Sequence, residues 1–177
     1  MGVVIFAFIS RELLTYINSL DGGLTWTTSH VLPENYETVL IHDVSDKNFN
    51  HMFVTPYKQG SGLPKSFYSK DSGKTWSESD SYIDLMFYDP NDVNGNRLLG
   101  YAWQSLNGPA VNKLLESLDG GATWQEFSNL PAEIVNIGDR KTKISNIVFD
   151  VTDRNTLYMS AAGAHVWKST DNGTSWT

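Results

Sequence analysis

An eight-residue motif recurs four times along this 177-residue chain and constrains its fold more than any other feature. The motif has the form S-x-D-x-G-x-[TS]-W, and successive motif aspartates are separated by 50, 48 and 52 residues. Five specified positions matched four times at near-constant spacing are not a chance occurrence, so the chain is built from repeats of about 50 residues. The four copies occupy residues 19–26, 69–76, 117–124 and 169–176.

Each copy of the motif has the residues of a tight hairpin turn. The aspartate accepts hydrogen bonds from backbone N–H groups of its own turn, and the glycine supplies a positive φ. The tryptophan begins the next strand and offers a large apolar surface for burial. We assign a structural role, not a catalytic one, to the twelve residues Asp21, Gly23, Trp26, Asp71, Gly73, Trp76, Asp119, Gly121, Trp124, Asp171, Gly173 and Trp176.

The segments between the motifs have the pattern of short strands. An apolar strand upstream of the motif ends in D-x-x-D at Asp43/Asp46, Asp89/Asp92 and Asp150/Asp153, and a further apolar strand follows each pair. These pairs lack the density of oxygen ligands that a calcium site needs. Four strands per repeat predict an all-β fold, namely a partial β-propeller of four-stranded antiparallel blades with the motif at each strand 3–4 turn.

The four motif segments resemble the Asp-box, or BNR, repeat. This repeat occurs in sialidases, xyloglucanase-type glycoside hydrolases, sortilin-type sorting receptors and photosystem II assembly factors. The segment 147–176, with Asn155-Thr-Leu-Tyr158, is most similar to xyloglucanase-type repeats. The resemblance implies the propeller fold, but the box is a structural device in all these families and implies no single activity.

We expect one domain, a single partial propeller over residues 1–177. Its units are 1–36, which lacks a first strand, then 37–82 and 83–130, which are complete, and 131–177, which stops where its fourth strand begins. Such an arc leaves sheet edges and apolar surface uncovered. The expected partners are therefore the remaining blades of a longer propeller or a second copy of the chain.

Composition excludes several classes of function. The net charge of −7 argues against nucleic-acid binding, and the absence of cysteine excludes a disulfide scaffold and a cysteine-based zinc site. The four histidines have no metal-ligand spacing, so we predict no metal and no cofactor. The longest purely apolar run, residues 3–9, is too short to span a membrane. No signal peptide is visible, and an extracellular or periplasmic location rests on the resemblance.

Candidate ligand-binding residues come from the strand 2–3 and 4–1 connections, whose lengths vary between repeats. Both connections lie on the propeller face opposite the motifs, and repeat proteins usually bind on the face where loops vary. The candidates are Tyr57, Lys58, Trp103, Gln104, Asn107 and Glu133. Two alternatives stay open: Trp103 packs against a neighbouring blade, and the segment 131–144 is a solvated loop.

The sequence leaves open whether the chain is an enzyme. It has only four arginines and no Arg-Ile-Pro motif, which argues against a sialidase. An inverting glycosidase needs two carboxylates about 6.5–9.5 Å apart, and no spacing pairs any two of the acidic residues expected on the variable face, which are Glu12, Asp80, Asp84, Glu133 and Asp139. Two functions follow: binding of poly- or oligosaccharide by a glycoside-hydrolase-like chain with an incomplete catalytic site, or a non-catalytic scaffold for protein binding.

Overall fold

In the computed structural model, the regular secondary structure of the described residues consists almost entirely of short antiparallel strands. The described residues are 7–8, 15–19, 21, 23–31, 38–44, 51–57, 65–102, 112–127, 130–135, 143–162 and 165–177. Within them lie fourteen strands and one helix of four residues. These strands form four separate sheets, each built from strands that follow one another along the chain.

The first two sheets come from the N-terminal half. Sheet 1 has the order β1-β2-β3, with β1 Ala7–Phe8, β2 Thr15–Asn18 and β3 Thr27–Val31. Sheet 2 has the order β4-β5-β6-β7, with β4 Thr38–Val44, β5 Met52–Tyr57, β6 Phe67–Ser69 and β7 Ser77–Glu78. All pairings are antiparallel, as tight turns between consecutive strands require.

The second half repeats the arrangement and adds a short helix. Sheet 3 is β8-β9-β10-β11, with β8 Leu85–Tyr88, β9 Leu98–Ala102, β10 Lys113–Ser117 and β11 Gln125–Glu126. The helix α1, Ala132–Val135, follows it. Sheet 4 is β12-β13-β14, with β12 Ile144–Phe149, β13 Leu157–Ala161 and β14 Val166–Ser169. Beyond β14, the backbone of Thr177 exchanges hydrogen bonds with Lys168.

The predicted fold class is confirmed: the chain is a partial propeller of antiparallel sheets with an Asp-box at the turn between the third and fourth strands. Box residues 69–76 join β6 to β7, and box residues 117–124 join β10 to β11. The predicted unit boundaries stay predictions.

The apolar core lies between neighbouring sheets. Alternating residues of β9 point to opposite sides, so Leu98 packs with Phe53, Ile83 and Met86 toward sheet 2, while Leu99 belongs to the cluster shared with sheet 4. That second cluster is the larger one and contains eleven buried residues. Each fully buried aliphatic or aromatic side chain contributes about 1.5–3 kcal/mol, so these two interfaces hold the arc together.

Strand contacts fix which turns share a face. The first strands β4, β8 and β12 contact one another in series, which places them innermost around a common axis. The boxes and the turns between first and second strands therefore lie on one face, which we call the box face. The connections between second and third strands, and from one sheet to the next, lie on the other, which we call the opposite face.

Candidate ligand-binding face

All four boxes contain the same set of hydrogen bonds. In each, one carboxylate oxygen of the aspartate accepts from the backbone N–H four residues later, at 2.8, 2.9, 3.0 and 2.9 Å. The other oxygen accepts from the hydroxyl of that same residue, at 2.6, 2.7, 2.7 and 2.5 Å. The box serine donates to the aspartate and accepts from the glycine N–H.

These hydrogen bonds lower the pKa of every box aspartate. The side-chain hydrogen bond from Thr25 lowers the pKa of Asp21 to about 2, and that from Ser175 does the same for Asp171. Burial pushes the pKa of Asp71 and Asp119 upward, but the hydrogen bonds from the turn outweigh it and the pKa of both is lowered. Carboxylates that stay ionised with both oxygens occupied hold a turn and are unsuited to proton transfer.

One box tryptophan fixes two sheets to each other. The Trp124 ring covers Gly100 of β9 so closely that a Cβ there would lie 2.6 Å from its Cζ3. The ring meets Phe53 of β5 edge-on at 5.6 Å, and its Nε1 donates to Ser79 Oγ at 2.9 Å. The tryptophans are less buried than the sequence suggests, since Trp26 is 42 % exposed and Trp124 is half-buried.

A different contact joins sheets 3 and 4 on the box face. The guanidinium of Arg97 donates to Asp89 Oδ2 at 2.8 Å, Glu116 Oε1 at 2.9 Å and Asn172 Oδ1 at 2.8 Å. It also lies 5.6 Å from the ring centre of Phe149. Asp89 is buried, and Asn172 belongs to the fourth box. These contacts engage the box aspartates and the Arg97 cluster of this face in structural interactions, which directs the search for a polar ligand site to the opposite face.

Two hydrogen-bonded anchors, the first buried and the second partly buried, lie beneath the opposite face. In the first, Thr55 Oγ1 donates to the carbonyl of Ile83 at 2.6 Å and lies 2.9 Å from Ser66 Oγ, which accepts from the Ile83 N–H at 3.0 Å. Thr55, Ser66 and Ile83 are all buried. This anchor ties the connection that leaves sheet 2 to the second and third strands of that sheet.

The second anchor repeats the device in sheet 3 with longer side chains. Tyr101 Oη lies 2.5 Å from Asn112 Oδ1, and Asn112 Nδ2 donates to the carbonyl of Ile134 at 2.8 Å. Tyr101 and Ile134 are buried. The Asp84 N–H donates to the Tyr101 carbonyl at 2.9 Å, which links the two anchors. Burial, assisted by the negative charge of Asp84, raises the pKa of Tyr101 to about 12.

The structure describes only part of the predicted ligand set. Tyr57 is the last residue of β5, two positions after Thr55. Glu133 is exposed in α1, immediately before the anchored Ile134. Lys58, Trp103, Gln104 and Asn107 lie outside the described residues. The chain leaves β9 for these last three at Ala102 and returns at Asn112, so both ends of that connection adjoin the second anchor.

One of the acidic residues expected on the variable face, Asp80, contacts a box instead. The sequence analysis expected Asp80 on the variable face, but its N–H donates to Ala122 O at 3.0 Å and its Oδ2 accepts from the Trp124 N–H at 3.4 Å. Asp80 is thus bound to the third box, because β7 is only two residues long and the chain stays close to the next box. Glu12 and Asp139 lie outside the described residues.

Metal and membrane features were searched in the part of the chain that the structure describes. No three His, Asp or Glu side chains there are grouped as metal ligands. In the two D-x-x-D pairs whose side chains the structure describes, the aspartates accept from backbone N–H groups of their own turns, as Asp89 does from Asn91 at 2.8 Å and Asp92 from Asn94 at 3.0 Å. Among these residues no helix has the length and apolar character to cross a membrane.

Sequence reasoning missed the anchor residues. Thr55 interrupts an otherwise apolar strand, and this was the one local signal of a buried polar contact. Ser66 and Asn112 stand just before their strands, where polar residues are common and uninformative. The hydrogen-bond partners of the anchor residues lie up to 28 residues away in the sequence, as Ile83 does from Thr55. Only the tertiary arrangement identifies these partners.

Comparison with known proteins agrees with this architecture. The family model described as BNR/Asp-box repeat matches residues 67–78, which include the second box. An ancestral GH74 enzyme superposes with a TM-score of 0.61 at 19% identity, over 99% of this chain and 22% of that protein. The GH74 enzyme of Niastella koreensis gives 0.53 at 14%, over 97% and 28%. The chain is an Asp-box β-propeller.

Two further similarities show how much of the related proteins this chain covers. YCF48 from Cyanidioschyzon merolae has a TM-score of 0.51 at 15% identity, over 82% of the chain and 41% of that protein. The uridylate kinase of Mycoplasmopsis pulmonis is 28% identical over 134 residues, 73% of this chain and 49% of that protein. The chain therefore spans about half the curated relative and less than half of these solved structures.

The kinase name belongs to that relative and is not assigned to this chain. The nearest sequence to a phosphate-binding loop is Gly73-Lys74-Thr75 in the second box, but the position that such a loop reserves for its first glycine is Tyr68. The three residues lie in a turn between two antiparallel strands, whereas a phosphate-binding loop leads from a strand into a helix.

Proposed function

We propose that the opposite face of this propeller binds oligo- or polysaccharide of the β-glucan or xyloglucan type. The observation that supports the proposal is the pair of anchors, which hold the connections bearing the candidate residues on a face that contains none of the boxes. The fold shared with GH74 enzymes is compatible with this role.

The candidate residues suit sugar recognition. Tyr57 and Trp103 offer flat aromatic faces with a polar edge, which match the alternating apolar and hydroxyl surfaces of a sugar ring. Lys58, Gln104 and Asn107 provide donors, and Glu133 provides an acceptor, for the ring hydroxyls. A small number of polar groups beside aromatic walls is the usual composition of a binding site.

Hydrolysis would need a second acid in addition to Glu133. An inverting glycosidase places its carboxylates about 6.5–9.5 Å apart, and Asp80 is withdrawn from this role by its contacts with the third box. We therefore propose binding as the function of this chain, with glycoside hydrolysis requiring a second carboxylate, for which Asp84 beside the anchors is the described candidate. An extracellular or periplasmic location remains part of the proposal.

Calorimetric titration with xyloglucan and cello-oligosaccharides tests the proposal. We expect measurable binding, weakened at least about tenfold, which is 1.4 kcal/mol, by Trp103→Ala or Glu133→Gln. Tyr158→Ala is the matched control, since Tyr158 is a partly exposed aromatic residue in the middle of β13, and it should leave the affinity unchanged. Absence of binding by the parent chain, or equal loss in all three variants, would refute the proposal.

One observation favours the second candidate function, a non-catalytic scaffold for protein binding. The box face exposes several aliphatic side chains, namely Leu24 at 86 %, Val93 at 86 %, Leu118 at 59 % and Val151 at 71 %. Apolar side chains on a surface that sugar does not need are typical of protein contacts. A partner captured by the parent chain and lost in a Leu118→Lys/Val151→Lys variant, with no sugar binding, would favour the scaffold.

A further inference from the structure

The first anchor has only one proton arrangement that satisfies its polar groups. The carbonyl of Ile83 can only accept a hydrogen bond, so the Thr55 hydroxyl donates to it. Because that hydroxyl has no second proton, Ser66 donates across the 2.9 Å contact between the two side-chain oxygens. Ser66 Oγ also accepts from the Ile83 N–H. The hydrogen bonds therefore run in one direction, from the N–H of Ile83 through both hydroxyls to its carbonyl.

Burial makes this arrangement costly to break. Thr55 is 1 %, Ser66 0 % and Ile83 0 % exposed, so water has no access to the groups that a broken bond would leave unpaired. A buried polar group without a partner is strongly unfavourable. The backbone of Ile83 is therefore expected to keep one position.

The segment from Ser79 to Asp84, which leads from sheet 2 to sheet 3, is hydrogen-bonded along its length. The Ser79 N–H donates to the Ser66 carbonyl at 2.8 Å, and the Ser66 N–H donates to the Ser81 carbonyl at 3.1 Å. At the far end, the Asp84 N–H donates to the Tyr101 carbonyl at 2.9 Å. The backbone that carries Asp84 is thus held by sheet 2 through the anchor and by sheet 3 directly.

Asp84 lies where a carboxylate can meet a ligand. It directly precedes β8, the innermost strand of sheet 3, on the opposite face, and its side chain is partly exposed. Burial, assisted by the negative charge of Asp84, raises the pKa of Tyr101, which shows that the carboxylate is near that ring. An ionised carboxylate accepts strong hydrogen bonds from hydroxyl groups. A fixed backbone also spares the ordering cost of binding.

We propose that Asp84 accepts hydrogen bonds from sugar hydroxyls on the opposite face, and that Thr55 and Ser66 are positioning residues that hold it through Ile83. The ligand in this inference rests on the proposed sugar-binding function, whereas the positioning part concerns the protein alone. Loss of an anchor hydroxyl should therefore weaken binding in a protein that is still folded.

Amide hydrogen exchange tests the positioning part without any sugar. We expect slow exchange at Ile83 and Asp84 in the parent chain, and exchange at least about tenfold faster at both after Ser66→Ala removes the acceptor of the Ile83 N–H. Ser81→Ala is the matched control, because the Ser81 hydroxyl donates only to the exposed Asp80 carboxylate, and it should leave both rates unchanged. Unchanged exchange at either amide in folded Ser66→Ala would overturn the inference.

Affinity for a xyloglucan oligosaccharide provides the second readout, on variants whose folding is verified by thermal unfolding. Asp84→Asn should weaken binding at least about tenfold. Thr55→Val keeps the branched shape without the hydroxyl and should weaken it about five- to tenfold. Thr55→Ser keeps the hydroxyl and should bind as the parent does, even if the lost methyl group lowers its stability. Thr55→Val also replaces Ser66→Ala in the exchange measurement if that variant does not fold.

The two readouts separate this inference from the proposed function. Sugar binding by the parent chain with unchanged affinity in Asp84→Asn would overturn the inference, as would equal affinities of Thr55→Val and Thr55→Ser. The expected exchange rates together with no sugar binding by the parent chain would uphold the positioning role and refute the proposed function alone.

Discussion

The two interfaces between sheets are built differently from the same repeat. Between sheets 2 and 3, the ring of Trp124 fills the space above Gly100 and meets Phe53, so the contact is a ring packed against small and aromatic residues. Between sheets 3 and 4, Arg97 binds two carboxylates of its own sheet and reaches Asn172 in the next box. Both interfaces have an apolar cluster; at the box face, a packed ring completes the first and a hydrogen-bonded arginine completes the second.

The difference comes from positions that the box motif does not specify. Gly120 and Asn172 occupy the same position in the third and fourth boxes, both with positive φ, but only asparagine offers an acceptor to the neighbouring sheet. Arg97 stands directly before Leu98 as His51 stands directly before Met52. The specified residues therefore build the turn and supply the tryptophan that packs at the interface, whereas the variable residue decides whether a side-chain hydrogen bond to the adjacent sheet is added.

Removal of the guanidinium should have the largest effect. Arg97→Ala leaves the buried Asp89 and the largely buried Glu116 without their cation, and breaking a buried ion pair costs about 3–5 kcal/mol. Chemical denaturation should show this loss of stability, with sheets 3 and 4 losing hydrogen-exchange protection first. Arg154→Ala is the control, because Arg154 is exposed and binds one carbonyl, and it should change stability by less than about 0.5 kcal/mol.

Filling the space under the Trp124 ring tests the interface between sheets 2 and 3. A Cβ at Gly100 would lie 2.6 Å from Trp124 Cζ3 and 3.0 Å from Ile83 Cδ1, so Gly100→Ala should destabilise by about 1–3 kcal/mol. Trp124→Leu should relieve part of the clash, and the double variant should then be more stable than the sum of the single effects predicts. Strict additivity in thermal unfolding would contradict this packing.

Two glycine substitutions sharpen the contrast between the boxes. Ser72 and Asn172 both have positive φ, at 59° and 57°, where glycine is less strained. Ser72→Gly relieves this strain but also removes the side chain's own contacts, so it should change stability by less than about 1 kcal/mol. Asn172→Gly loses the bond from Arg97, worth about 1.5–3 kcal/mol for a charged donor, and should be net destabilising. Equal effects of the two variants would show that Arg97 does not use the fourth box.

Acidification should reduce the contribution of the boxes to folding stability gradually, as their aspartates become protonated. Asp21 and Asp171 have a pKa of about 2 in the folded chain against an ordinary value of 3.8, so their contribution to stability is present above about pH 4 and is lost as pH falls toward 2. Ser175→Ala removes the largest cause of the shift at Asp171 and should raise its pKa. Carboxyl NMR titration checks this, and an unchanged Asp171 pKa would contradict it.

The fold was predictable because its signals are local and repeated. Box residues such as Ser69, Asp71, Gly73 and Thr75 interact within seven residues of one another, and the observed hydrogen bonds follow from that spacing. The apolar strands alternate with these turns at a regular interval, which predicts the antiparallel meander.

The site was less predictable because its contacts are distant in the sequence. Thr55 binds Ile83 across 28 residues, and Asn112 binds Ile134 across 22. Asp80 illustrates the same difficulty. Its position after a predicted strand placed it on the opposite face, but it contacts Trp124 of the third box, 44 residues away in the sequence. Such pairings depend on how neighbouring sheets pack, which no local pattern encodes.

The central claim is that the opposite face binds ligand while the boxes have a structural role. Mapping the amide chemical shifts of the isotope-labelled chain during titration with a xyloglucan oligosaccharide tests this claim most directly. We predict shifts in the 55–66 and 101–112 connections, at Asp84 and around Glu133, with the four boxes unchanged. Shifts centred on the box residues, or none anywhere at saturating sugar, would contradict the assignment of the opposite face as the ligand-binding surface.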